Sequence, residues 1–240
     1  MTRGIFVTGT DTGVGKTVVT VALLRLAQRH GLRCIGLKPV ASGGCRRAPA
    51  SPLRNSDALE LRAASSVPLA YETVNPHCFG PAIAPHLAAR EAGVVLDLPG
   101  LVDWYRQASR GTDLVLVEGA GGWRLPLHPA GFLSDLPEAL GMDVLLVVGL
   151  TLGCLSHARL TAEAIAGTGR CRLAGWIGNA VDPAFERVDE NVATLAGLLG
   201  GPPLACVPDL RQAGRSEFGA PLYECPDDRR LLDVLGVGPR

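Results

Sequence analysis

Residues 7–17 read Val-Thr-Gly-Thr-Asp-Thr-Gly-Val-Gly-Lys-Thr. The segment follows a short apolar run at 4–8 and opens onto residues 17–30, where Val18, Val21, Leu24 and Ala27 recur at helical spacing. A strand that feeds a glycine-rich turn and then a helix allows few folds. Its turn N–H groups converge on one point, and the helix N-terminus adds its dipole there, so the segment suits a polyphosphate. Gly13, Val14, Gly15, Lys16, Thr17 and Val18 are the expected ATP contacts, with Lys16 on the β- and γ-phosphates and the Thr17 hydroxyl on Mg2+. The leading glycine, Gly9, falls one residue earlier than the common spacing, where Thr10 stands. A plain glycine-rich turn followed by a surface lysine is the alternative reading.

A nucleotide loop of this kind needs an acid at a strand end to hold the metal. Residues 114–117 form an apolar run ending in Glu118, and Gly119, Ala120, Gly121 and Gly122 follow, small enough for close backbone approach to phosphate or substrate. Alone, Glu118 could be a solvated strand-end carboxylate. Paired with the loop, it points to ATP with Mg2+.

Further apolar runs at 34–37, 144–148, 173–177 and 204–207 alternate with helical patterns at 57–64, 99–110 and 156–167. Gly31 stops the first helix. Residues 42–56 are rich in Gly, Ser, Pro and Arg and read as a mobile loop. The stretch 67–85, with Pro68, Pro76, Pro81 and Pro85, reads as extended and irregular. Continuous apolar strands separated by helices predict an α/β fold of P-loop NTPase type. Its mainly parallel β-sheet, of seven strands or a similar number, has helices on both faces and ATP at the carboxyl ends of the strands. One domain is expected over residues 1–240, since 47% hydrophobic residues supply a core and 30 glycines with 5% aromatics suit many tight turns.

Charge narrows the partners. Lys plus Arg and Asp plus Glu number 23 each, and the basic clusters Arg46-Arg47 and Arg229-Arg230 are only pairs, so neither nucleic acid nor membrane is an expected partner. The seven cysteines are widely spaced with no C-x-x-C pair, which argues for reduced thiols and a cytoplasmic location. The N-terminus has no signal-peptide pattern, and the apolar run at 144–150 is too short to span a bilayer.

Several blocks together resemble the dethiobiotin synthetase family. They are FVTGTDTGVGKT (6–17), GLKPVASG (36–43), RNSDAL (54–59), TVNPHCF (73–79), APH (84–86), VEGAGGW (117–123), LGC (152–154) and LAGWIGN (173–179), in family order to about residue 210. The resemblance implies an ATP-dependent homodimer that converts 7,8-diaminopelargonate and CO2 to dethiobiotin, with the active site at the dimer interface. It implies catalytic roles for Lys16 and Lys38 on the γ-phosphate and the reacting carbamate. It also implies Mg2+ held among Thr17, Asp57 and Glu118, and ATP contacts extending over Gly119, Ala120 and Gly121. Asn179 contacts the adenine, Pro208, Asp209 and Leu210 form part of the base pocket, and Thr12 and Ser42 bind the diamine. The loop Leu152, Gly153, Cys154 and Leu155 receives the substrate carboxylate. Within it, Thr151 and Ser156 stand where the family commonly has Lys and Asn; Ser156 can still cap the following helix. Ala180 stands where an acid is frequent.

The residues themselves leave other readings open. Lys38 before Pro39 could cap a strand, Ser42 before Gly43-Gly44 is ordinary turn chemistry, Asp57 could be a helix N-cap, and Asn179 could merely end a strand. His86 and His157 read as structural histidines. Three rival functions share parts of this pattern. A partitioning or positioning ATPase carries a second lysine where Asp11 stands. A cobyrinate-amidating synthetase needs a glutaminase domain. An inactive nucleotide-binding module sits poorly with Lys16, Lys38, Thr17 and Glu118 together.

Overall fold

Apolar runs of four to seven residues with β-branched side chains can be buried only between two layers, and the chain uses them so. The computed structural model describes residues 2–128, 131–209 and 228–237. Its main sheet is built from β1 (Arg3–Gly9), β2 (Cys34–Leu37), β5 (Leu114–Glu118), β8 (Asp143–Gly149), β9 (Arg172–Asn179) and β10 (Ala205–Val207). All pairs are parallel, in the order β10-β9-β8-β1-β5-β2. The sheet thus has six strands among the described residues, where seven or a similar number was expected.

Alternation along each strand decides which helix it meets. Ile5, Val7, Leu114, Leu116, Leu145 and Val147 pack on one face against α1 (Lys16–Arg29) and α2 (Ser56–Ala63), with Leu231 and Leu235 of α9 (Asp228–Leu235) in the same cluster. Phe6, Val115, Val117 and Val144 point the other way, onto Leu101, Val102 and Tyr105 of α5 (Leu98–Ala108) and Leu136 of α6 (Asp135–Leu140). Leu146, Val148 and Trp176 bury against α7 (Cys154–Ala166) and α8 (Val188–Leu198). At about 25 cal/mol per Å2 of apolar surface, this two-sided burial is the main stabilising term.

The long passage between β2 and β5 holds short elements. These are β3 (Val40–Ala41) paired with β4 (His77–Cys78), the single turn α3 (Tyr71–Val74), and α4 (Pro85–Glu91). The loop expected at 42–56 is pinned by an isolated pairing of Cys45 with Arg54. A small hairpin of β6 (Pro126–His128) and β7 (Gly131–Phe132) follows β5.

Two helix starts differ from expectation. Asn55, not Asp57, caps α2: its side chain accepts from the Ala58 N–H at 3.2 Å, and Asp57 lies in the first turn. Helix α7 begins at Cys154 instead of Ser156. Its cap is Gly153 in a left-handed conformation (φ 96°) with no side-chain cap bond, so Ser156 is already inside the helix and does not cap it.

Candidate active site

Six parallel strands bring six carboxyl ends to one edge, and the expected site residues gather there. Lys38 follows β2, the loop 10–15 follows β1, Glu118 ends β5, Asn179 ends β9, and Pro208 follows β10. A cleft of about 800 Å3 opens beside β1, β5 and β2. Thr12, Gly13, Gly15, Lys16, Thr17, Val18, Lys38, Ser42, Asp57, Glu118, Ala120 and Gly121 all line it.

The glycine-rich loop has the geometry that a phosphate cradle needs. Gly15 adopts φ 88°, open only to glycine at low strain. A Cβ there would also lie 2.0 Å from Nδ2 of Asn179. That Nδ2 donates to the Val14 carbonyl at 2.8 Å, so Asn179 buttresses the loop from β9. The Val14 side chain itself is core. The Lys16 ammonium donates to the carbonyls of Asp11 (2.8 Å) and Gly121 (2.7 Å), which ties the loop to the segment after β5. Burial, and then the charge of Lys38, lower the Lys16 pKa to about 8, so it strongly favours an incoming anion.

Register places Glu118 opposite Val7, directly below the loop. Its Oε1 accepts from the Thr17 hydroxyl at 2.9 Å and from the Lys38 ammonium at 2.5 Å. Lys38 also donates to Asp57 Oδ2 at 3.1 Å and to the Gly119 carbonyl at 3.2 Å. The side chains of Lys38 and Glu118 are only 5% and 1% exposed. Burial works against the Lys38 charge, but Glu118 and Asp57 outweigh it and hold its pKa above the usual lysine value. Glu118 Oε2 is buried without a hydrogen-bond partner, and so is the Ser42 hydroxyl.

A hard cation fits this donor set. Mg2+ takes oxygen ligands, commonly one or two carboxylates plus phosphates and waters. Thr17, Asp57 and Glu118 provide a hydroxyl and two carboxylates, and the orphaned Glu118 oxygen supports that use. No cluster of three or more His, Cys, Asp or Glu suited to a metal occurs among the described residues.

Other expected contacts lie outside this cleft. Gly119 offers its carbonyl to Lys38 without lining the space. Asn179 and Pro208-Asp209 stand three and four strands from β5, at the opposite end of the edge, with Val207 in register with Asn179. Leu210 lies outside the described residues. The loop 152–155 does not line the cleft either; Leu152 is 92% exposed, while Cys154 is buried with its thiol pKa pushed up by that burial. Sequence reasoning missed Ala41, Asn55, Glu60, Leu125 and residues 82–85 of the lining. Only Asn55 carried a local signal, as a preferred N-cap residue.

A glycine-rich loop on the first strand, a buried acid on the neighbouring strand and helices on both faces of a parallel sheet define a P-loop nucleotide-binding protein. A family model described as an AAA domain matches residues 3–217. ATP-dependent dethiobiotin synthetase BioD of Pseudomonas paraeruginosa is 55% identical over 234 residues, covering 97% of this chain and 98% of its own. The enzyme of the same name from Cellvibrio japonicus is 46% identical over 232 residues, 97% and 99% of the two chains. The chain belongs to the ATP-dependent dethiobiotin synthetase family. Among solved structures, the septum site-determining protein MinD of Pyrococcus horikoshii, complexed with Mg-ADP, matches at TM-score 0.55 and 17% identity over 93% of each chain. A ParA family ATPase from Chlorobium tepidum matches at 0.54 and 12% identity over 98% of this chain and 96% of its own. At such identities these two speak to the fold alone.

Proposed function

We propose that the chain, acting as one catalytic unit over residues 1–240, makes dethiobiotin from 7,8-diaminopelargonate, CO2 and ATP. Family membership supports the reaction class. The observation that carries it to residues is the buried Lys38 ammonium, drawn to the same Glu118 oxygen that receives the Thr17 hydroxyl. A phosphate loop already has its lysine in Lys16. A second buried cation a strand away fits a second anion, the carbamate of the diamine.

One amine of the substrate adds to CO2 and loses a proton, giving the carbamate. A carbamate oxygen then attacks the γ-phosphorus and ADP leaves. The second amine attacks the carbamoyl carbon of the resulting mixed anhydride, phosphate departs with the C–O bonding pair, and the ring closes. No protein nucleophile is required; the work is positioning and charge neutralisation. Lys16 faces the β- and γ-phosphates, and Lys38 steadies the carbamate and the transferring group. Thr12 and the unpartnered Ser42 hydroxyl receive the diamine. Thr17, Asp57 and Glu118 would hold Mg2+, which would supply positive charge to offset that of the phosphates.

Strand spacing supports the placement of ATP. From β5 to β9 is three inter-strand steps, roughly 14 Å at the usual spacing. That separation suits a γ-phosphate over Glu118 and an adenine beside Asn179, Pro208 and Asp209. Leu152 and Gly153, exposed ahead of α7, with Leu160 also exposed on that helix, support a homodimer in which the segment Leu152, Gly153, Cys154 and Leu155 serves the partner's cleft. The three carboxylates of the cleft, Asp57, Glu60 and Glu118, and the balanced charge of the chain are consistent with small-molecule partners in the cytoplasm. The test is to incubate the protein with MgATP, bicarbonate and 7,8-diaminopelargonate and seek the cyclic urea by mass spectrometry. Its appearance only when ATP is present supports the reading; its absence with folded, ATP-binding protein overturns it.

A further inference from the structure

Lys38 lies past the last ladder pair of β2, Leu37 with Val117, and precedes Pro39, which has no N–H to offer. Its backbone is held instead by the passage between β2 and β5. The Lys38 N–H donates to the Val74 carbonyl at 2.8 Å, and the Lys38 carbonyl accepts from Asn75 Nδ2 at 2.7 Å. The same amide donates to the His77 carbonyl at 3.1 Å, fixing its orientation.

Asn75 Oδ1 accepts from the Tyr71 hydroxyl at 2.9 Å, and that hydroxyl accepts from the Asn55 N–H at 2.7 Å. Asn55 in turn donates through Nδ2 to the Ser42 carbonyl at 3.2 Å, and its Oδ1 caps the helix whose first turn carries Asp57. Asn55, Tyr71 and Asn75 are 6%, 3% and 2% exposed. Burial raises the Tyr71 pKa, so the hydroxyl keeps the proton it donates. An unbroken run of buried hydrogen bonds therefore links the backbones of Lys38, Ser42 and the start of α2. Neither Tyr71 nor Asn75 lines the cleft.

We infer that Tyr71 and Asn75 are positioning residues for ring closure, setting Lys38, Ser42 and Asp57 at fixed separations without touching a ligand. This rests on the roles of Lys38 and Ser42 proposed above. The site needs such a device because its two halves reach the cleft from different sides. Lys38 arrives on a sheet strand, whereas Ser42 and Asp57 arrive on a loop and a helix outside the sheet. The phosphate loop has anchors of its own, the Asn179 bond to Val14 and its connection to β1, and meets the network only through the Glu118 oxygen that Lys38 and Thr17 share.

Removing the Tyr71 hydroxyl leaves the Asn55 N–H and Asn75 Oδ1 buried without partners while keeping the ring. In Tyr71→Phe, the KM for 7,8-diaminopelargonate is expected to rise and kcat to fall, each about tenfold, while the Kd for ATP measured without Mg2+, which reads the phosphate loop and not Asp57, stays within about twofold of wild type. Ser42→Ala added to that variant should raise the diamine KM by less than it does in wild type, because Ser42 is already displaced. Unchanged kcat and KM in folded Tyr71→Phe overturn the positioning role alone, as does ATP affinity lost in parallel with both. Absence of diamine-dependent turnover in wild type, measured alongside, removes the functional reading and this inference with it. If Tyr71→Phe does not fold, Asn75→Ser, too short to reach both carbonyls, carries the same comparison.

Discussion

Lys16, which opens α1 beyond β1, and Lys38, which follows β2, are buried ammonium groups on either side of β5, yet they answer to different neighbours. Lys38 rests on two carboxylates and stays charged. Lys16 rests on two carbonyls, faces the Lys38 charge, and titrates near 8. Linkage gives the sign. Between about 8 and the ordinary 10.5, the unfolded chain keeps a proton on Lys16 that the folded chain has released. Stability relative to a variant without the ammonium therefore rises over that interval and is flat below it. Thermal unfolding of nucleotide-free wild type and Lys16→Met from pH 7 to 10.5 should show the difference between them shifting in favour of wild type above about pH 8. A difference independent of pH contradicts the description of Lys16. The place of Lys16 after the glycine-rich turn was legible from the local sequence, and that of Glu118 at the end of β5 from its apolar run. The bond from Asn179 to Val14, spanning 165 positions, had no local signal.

Helix α2 shows how an element carries function through its cap. Asn55 performs two tasks with two atoms: Oδ1 caps the helix and Nδ2 holds Ser42. Asn55→Ala should lower stability by about 1 kcal/mol through loss of the cap. Asn55→Asp keeps the acceptor, so its denaturation midpoint should stay near wild type while the diamine KM rises. Equal diamine KM in all three proteins contradicts the tether to Ser42. The strands of the main sheet were legible to within a residue or two because continuous apolar runs leave little choice. Helix α7 began two residues early because its cap is a left-handed glycine, which gives no side-chain signal. Helices α4, α6 and α8 and the β6–β7 hairpin went unread, α4 and α6 because seven and six residues hold too few turns to display a period. The Tyr71–Asn75 network was illegible for a different reason: its partners are 16 and 37 residues apart, within a passage that reads as irregular.

Across the whole molecule, strand order lays the site out along one edge. In the proposed reading, phosphoryl groups lie over β1, β5 and β2, and the base beside β9 and β10. Leu152, in the loop after β8, is exposed, and the homodimer proposed above would cover it with a second copy of the chain. Leu152→Asp should weaken self-association in sedimentation velocity and raise the diamine KM, with ATP affinity unchanged; an unaltered association state contradicts the proposed role of that loop. The most direct measurement is phosphate release from MgATP and bicarbonate, with and without 7,8-diaminopelargonate. Release that depends on the diamine, matched mole for mole by cyclic urea, is the expected result. ATP binding with phosphate release indifferent to the diamine would contradict ring closure and leave a nucleotide-hydrolysing fold with another substrate.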